Sequence, residues 1–172
     1  MSGTREFIPL HISVLTISDT RTEENDKSGN LLVTHLSEAG HLLAEKSIVA
    51  DNIYQIRAIL SRWIADPEVQ VILTTGGTGV TGRDGTPEAV RPLLDKVIDG
   101  FGEMFRVLSY EQIGTSTLQS RAFAGVANRT YVFCLPGSSG ACKDGWTKLI
   151  AHQLDYRTRP CNLVELIPRL QE

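Results

Sequence analysis

The sequence has little cysteine, little aromatic character and no long apolar run. Its three cysteines, Cys134, Cys142 and Cys161, are odd in number and form no CxxC pair, which argues against a disulfide framework and against a zinc site. Aromatic residues are 6% of the chain, too few to suggest a surface on which bases stack. Lys and Arg number 17 against 20 Asp and Glu, a formal charge of −3, and no basic stripe is visible. Nucleic acid is therefore not an expected partner. No segment approaches the roughly 18 apolar residues of a membrane span; Val69–Leu73 is typical of the short runs present. Met1–Leu10 lacks the basic region and apolar stretch of a signal peptide. The expectation is a cytoplasmic protein with reduced thiols and no membrane partner. His11, His35, His41 and His152 show no metal-ligand spacing, and no Ser-His-Asp or Cys-His pairing can be argued.

What is present is an ordinary globular composition: 172 residues, 41% hydrophobic and 22% charged. A chain of this size buries about 70% of its unfolded surface around one core, and no repeat or linker divides it, so residues 1–172 read as one domain. Ile12, Val14, Leu15 and Ile17 form a compact apolar run of the kind buried on both faces of a sheet. Ser28 is placed to cap a helix carrying Leu32, Leu36 and Ala39, stopped by Gly40. Leu42–Val49 reads as a second strand. Asp51 or Asn52 caps the next helix, with Ile53, Ile56, Leu60, Trp63 and Ile64 in one stripe, and Val69–Thr75 is the third strand. This β-α-β-α-β order predicts an α/β fold with a mostly parallel central sheet and helices on both faces.

Further on, Thr86-Pro87-Glu88 has the form of a helix start, with Thr86 as cap and Pro92 shortening or kinking the helix. Glu103–Gln112 has helical spacing, Tyr131–Leu135 is a late strand, and a last helix reaches Gln153. Residues 118–130 carry no assignable pattern.

Ligands of open parallel sheets bind at the carboxyl ends of the strands. Here those ends carry Ser18-Asp19, Asp51, Gly76-Gly77-Thr78-Gly79 and Gly137-Ser138. Each alone reads as an ordinary turn or cap residue; four on one edge indicate a shared site. Five of the 15 glycines fall between residues 76 and 85. Gly77, Gly79 and Gly82 satisfy GxGxxG, but the segment follows the third strand and Arg83-Asp84-Gly85 separates it from the next helix. A nicotinamide-dependent reductase is thus the weaker reading. Gly77 and Gly82 have P-loop spacing, yet Arg83-Asp84 stands where Lys-Ser/Thr is required. The remaining signal is physical: consecutive glycines let backbone N–H groups converge on an anion without cationic side chains. A carboxylate beside such a loop, as at Asp84, repels phosphate unless a cation lies between them, which implies Mg²⁺. Asp51 has the same potential and is equally suited to be a helix cap.

Thr75-Gly76-Gly77-Thr78-Gly79, Asp84 and Thr86-Pro87-Glu88-Ala89, with Leu135-Pro136-Gly137-Ser138 near the end, resemble the molybdopterin-binding MoaB/MogA family of molybdenum cofactor biosynthesis. Ser18-Asp19, Gly100-Phe101-Gly102-Glu103, Ile113-Gly114-Thr115-Ser116, Ser120-Arg121-Ala122 and Thr158-Arg159-Pro160-Cys161-Asn162 look most like its MoaB branch. The likeness runs from about Glu6 to Asn162. It implies a three-layer α-β-α fold, a homotrimer or homohexamer, molybdopterin as ligand, and other proteins of the same pathway as partners. In the MogA branch, molybdopterin attacks the α-phosphate of Mg·ATP to give adenylyl-molybdopterin and pyrophosphate. Carried over by resemblance, Asp51 and Asp84 would be the catalytic residues and hold Mg²⁺. Gly76, Gly77, Thr78 and Gly79 would cradle phosphate, Ser18, Gly137 and Ser138 would line the pocket, and Arg121 would contact an anionic group. The resemblance supports two functions: a molybdopterin adenylyltransferase, or a non-catalytic oligomer that binds and delivers molybdopterin.

Overall fold

A computed structural model describes residues 3–172. Strand β1 (His11–Ile17) is followed by helix α1 (Lys27–Glu38), β2 (Leu42–Val49), α2 (Ile53–Ala65) and β3 (Val71–Thr75). The chain continues through α3 (Thr86–Val90), β4 (Lys96–Val97), α4 (Asp99–Ile113), β5 (Phe123–Ala127), β6 (Thr130–Leu135), α5 (Ser139–Gly145) and, after a π-helical turn at Trp146–Ile150, α6 (Ala151–Gln153). The six strands form one sheet in the order β2-β1-β3-β6-β5-β4. β2, β1, β3 and β6 run parallel, while β5 and β4 are antiparallel to their neighbours.

The alternation of side chains along each parallel strand builds two cores. Ile12 and Val14 of β1, Val71 and Leu73 of β3, and Tyr131, Phe133 and Leu135 of β6 face α1, α4, α5 and the π-helical turn through Leu32, Leu36, Phe101, Phe105, Cys142 and Trp146. The intervening Leu15, Ile17, Ile72, Val132 and Cys134 face Ile56, Leu60 and Trp63 of α2 and Ala89 and Val90 of α3. Both faces are covered, which is why these strands read as nearly continuous apolar runs. Each fully buried Leu or Ile contributes about 1.5–3 kcal/mol relative to exposure.

Helix starts depart from expectation in three places. Asp26, not Ser28, caps α1: its carboxylate accepts the Gly29 N–H at 3.1 Å, and Ser28, two residues on, is buried in the first turn. Of the two residues offered as the cap of α2, Asn52 serves, accepting the Tyr54 and Gln55 N–H groups, which releases Asp51 from a structural duty. Gly85 occupies the cap position of α3, and the Thr86 hydroxyl instead donates to the Gly76 carbonyl at 2.8 Å. Pro92 does limit α3, which gives way after Val90 to a 3-10 turn. α4 begins at Asp99, four residues before the predicted start, because Gly100 and Gly102 obscure its first turn.

The unassigned stretch contains β5. It is short, and Ala124, Gly125 and Ala127 give it little strand propensity. Gly125 is required there: a Cβ would lie 2.5 Å from the Lys96 carbonyl across the β4–β5 pair. The β5–β6 turn places Asn128 and Arg129 at positive φ, 45° and 77°, without the glycine that marks such turns in a sequence.

Candidate functional site

The strand order reverses between β1 and β3, and a pocket of about 470 Å³ opens there, at the carboxyl ends of the parallel strands. Ser18 enters it from the end of β1, Asp51 from the end of β2, Gly76 to Gly79 and Asp84 from the loop after β3, and Gly137 from the end of β6. Ser138 stays outside: it caps α5, its hydroxyl accepting the Ala141 N–H at 3.1 Å. Arg121 also lies outside and supports the loop from behind. Its Nε donates to the Gly79 carbonyl at 2.7 Å and its Nη2 to the Asp84 carbonyl at 2.8 Å.

Gly76 and Gly77 adopt positive φ, +109° and +70°. A Cβ on Gly76 would strike the Ile17 carbonyl, and one on Gly77 the Thr86 hydroxyl, so neither position admits a side chain. Gly137 packs against Gly76, leaving 3.4 Å between a Cβ built on it and the Gly76 Cα. The Thr86 N–H donates to the Gly77 carbonyl at 3.0 Å and the Arg121 N–H to the Thr78 carbonyl at 2.9 Å. With the carbonyls thus turned inward, the Gly77 and Thr78 N–H groups have no protein acceptor among the described residues. That is the arrangement of a backbone anion nest.

Two aspartates flank the nest in different electrostatic states. The Asp84 carboxylate accepts the Thr81 hydroxyl at 2.6 Å and the Thr81 N–H at 2.9 Å. The Thr81 hydroxyl, its N–H, that of Gly79 and the charge of Arg121 hold Asp84 below the usual carboxylate range. Asp51 is pushed above that range, first by burial and then by the negative charges of Asp19 and Asp84; Arg83 opposes the shift. Asp19 sits at the rim, accepts the Asp51 N–H at 3.0 Å and pairs with Arg83 at 2.6 Å, which lowers its own carboxyl. Among the described residues no group of three or more His, Cys, Asp or Glu side chains forms a metal cage. Two carboxylates crowded beside an anion nest instead suit Mg²⁺, which takes one or two carboxylates and completes its shell with water and phosphate oxygens.

Beneath the nest lies a buried polar floor. Ser28 and Thr75 are linked through their hydroxyls at 3.0 Å, and the Cys142 thiol donates to the Thr75 hydroxyl at 3.2 Å. Burial raises that thiol to about 11, so it remains protonated and structural. Asp26 is 1% exposed and gathers the Thr16 hydroxyl at 2.7 Å and the Lys46 ammonium at 2.9 Å. Lys46 also pairs with Glu23, so one cation from β2 fastens both ends of the segment between Glu23 and α1.

The sequence reading missed Thr16, Thr20, Arg21, Ser28, Thr75, Gln119 and Ser120, all of which line the pocket. Thr16, Ser28 and Thr75 sit inside strands or at a helix start, where polar residues give no signal of their own. Thr20 and Arg21 follow Ser18-Asp19 directly, and their N–H groups donate to the Ser18 hydroxyl, forming a turn that Ser18 could have indicated.

A family model described as a probable molybdopterin binding domain matches residues 13–156. The chain belongs to the molybdopterin-binding MoaB/MogA family. Members of the MoaB branch are similar over most of the chain: molybdenum cofactor biosynthesis protein B of Escherichia coli K12 is 58% identical over 157 residues, 91% of this chain and 92% of that protein. A crystal structure of a molybdenum cofactor biosynthesis protein B superposes with a TM-score of 0.84 at 48% identity, covering 87% of this chain and 94% of the other. A tungsten cofactor synthesizing protein MoaB from Pyrococcus furiosus gives 0.77 at 37% identity, covering 84% and 92%. The six-stranded, mostly parallel α/β sheet is the MogA/MoaB-like fold. No helix among the described residues is long and apolar enough to cross a membrane.

Proposed function

We propose that the protein acts in molybdenum cofactor biosynthesis by binding molybdopterin and adenylylating it with ATP, releasing pyrophosphate. The observation that carries this reading is the meeting of Asp51 and Asp84 with the free Gly77 and Thr78 N–H groups in one pocket. The nest would hold phosphate oxygens, and the Ser18 and Thr78 hydroxyls add neutral partners at its edge. Asp51 and Asp84 would hold Mg²⁺, which when bound neutralises phosphate charge and fixes the relative positions of the two substrates. A terminal phosphate oxygen of the pterin then forms a bond to the α-phosphorus of ATP while the bond from that phosphorus to its bridging oxygen breaks. Such a transfer needs alignment and charge neutralisation more than a protein nucleophile, and this pocket offers none.

Incubating the protein with molybdopterin, ATP and Mg²⁺ should yield adenylyl-molybdopterin. Asp84→Asn should slow its formation by a factor on the order of 100 or more while pterin binding stays measurable. Unchanged turnover in that variant removes Asp84 from catalysis. Pterin binding without product in the wild type leaves a binding and delivery protein.

The same reading includes self-association as a trimer or hexamer. α4 exposes Met104, Val107, Tyr110 and Ile113 along one side, with Leu118 beyond its end, an apolar stripe that suits a second copy of this chain. Light scattering should report a mass of three or six chains, and a monomeric mass at micromolar concentration would overturn the assignment.

A further inference from the structure

Behind the glycine loop lies a second cavity, of about 480 Å³, walled by Arg91, Arg106 and Arg121 with Pro87, Glu88 and Pro92. Three guanidiniums face one carboxylate, a local excess of two positive charges on a chain whose formal charge is −3. Among the described residues, of these three only Arg121 forms an ion pair, with Glu88. Arg106 is held by the Ala122 carbonyl at 2.9 Å, and Arg91 lies over the Phe123 ring with its guanidinium carbon 4.6 Å from the centroid. Neither makes an ion pair among the described residues. Carbonyls and a ring face position a guanidinium without neutralising it, so the two charges stay available.

From this geometry we propose that the cavity is a second anion site, separate from the glycine-loop pocket, for a diphosphate or polyphosphate group. Guanidinium forks match phosphate oxygens in pairs, and two free guanidiniums with a shared third exceed what a single carboxylate needs. The volume also accommodates more than one phosphate. The ligand is either free pyrophosphate or the phosphate tail of a nucleotide.

The site touches the first pocket at two points. Ser120 lines both cavities. Arg121 clamps the Gly79 and Asp84 carbonyls with two of its donors and reaches Glu88 with Nη1. An anion that displaces Glu88 from Arg121 therefore acts on the residue that holds the Asp84 loop.

Calorimetric titration of the full chain with inorganic pyrophosphate, in EDTA and without pterin, tests the site, and the variants below separate it from the glycine-loop pocket, whose lining includes neither Arg91 nor Glu88. The wild type should bind. Arg91→Gln should weaken binding about tenfold, in line with the loss of one charge-assisted pair. Glu88→Gln should tighten it several-fold by removing the competitor for Arg121. Both residues are exposed, so the fold is preserved. Competition by ATP but not AMP identifies a nucleotide tail; no competition by ATP identifies free pyrophosphate. Absence of binding by the wild type, or affinity unchanged in both variants, overturns the proposal.

Discussion

The two ends of the parallel strands are built in opposite ways. At the amino ends, backbone donors and acceptors that a strand leaves open are closed by side chains. The Leu10 N–H donates to His41 Nδ1 at 3.1 Å, the His11 N–H to the Gln70 side chain at 2.9 Å, and the Thr130 hydroxyl to the Val69 carbonyl at 3.0 Å. Phe7 and Trp146 pack against the His41 ring, with centroids 4.9 and 6.1 Å away. At the carboxyl ends, carbonyls are tied back and N–H groups are left open, beside charged residues that repel one another. Sealing every group maximises stability; leaving a few open in a fixed geometry creates a place for a ligand. The difference marks the carboxyl ends as the end suited to hold a ligand.

Acid should break the sealed end first. Burial lowers His41 from 6.5 to about 4, with Asp155 pulling weakly the other way. The folded state therefore favours the neutral ring, and the unfolded chain binds the extra proton. This contribution is complete above pH 6.5 and is lost progressively as pH falls towards 4, in total about 3 kcal/mol. Urea unfolding of the wild type and His41→Gln at intervals across that window checks it. The wild type should lose stability steeply, and the variant, which keeps an acceptor for Leu10 but cannot titrate, should show a flatter profile. Parallel profiles would assign the acid sensitivity elsewhere.

Legibility in the sequence divides along the same line. The parallel strands announced themselves because burial on both faces leaves only apolar residues, as in Val71-Ile72-Leu73. The nest was legible because positive φ at Gly76 and Gly77 excludes side chains, so the requirement is written as glycine. The floor was hidden because Thr16, Ser28 and Thr75 draw their meaning from each other across the fold, and no local spacing links them. Asp26 was overlooked as a cap because Ser28, two residues on, is also a cap former, and only tertiary burial decided which one turned inward. Arg121 was expected to contact an anionic group, but it lies outside the glycine-loop pocket and holds the Gly79 and Asp84 carbonyls from behind, a distinction of orientation that sequence does not encode. The antiparallel edge was missed because β4 is two residues long and β5 is rich in small residues.

The open end can be probed more gently at its rim, where the expected effect is smallest. Arg83 is exposed and its pairing with Asp19 is screened by water, so Arg83→Gln should leave the unfolding midpoint unchanged. Its influence on the pocket is nevertheless directional. Arg83 is the cation that opposes the rise of the Asp51 carboxyl, and it also neutralises Asp19, which otherwise drives that rise. Removing it withdraws an attraction and strengthens a repulsion, and both move Asp51 further above the ordinary carboxylate range. Carbon-detected NMR titration of the Asp51 carboxyl should therefore find its midpoint at higher pH in the variant than in the wild type, with Asp84, fixed by Thr81, shifted less. A midpoint that falls, or that moves equally at both aspartates, would show that the rim charge acts on the loop as a whole and not on Asp51.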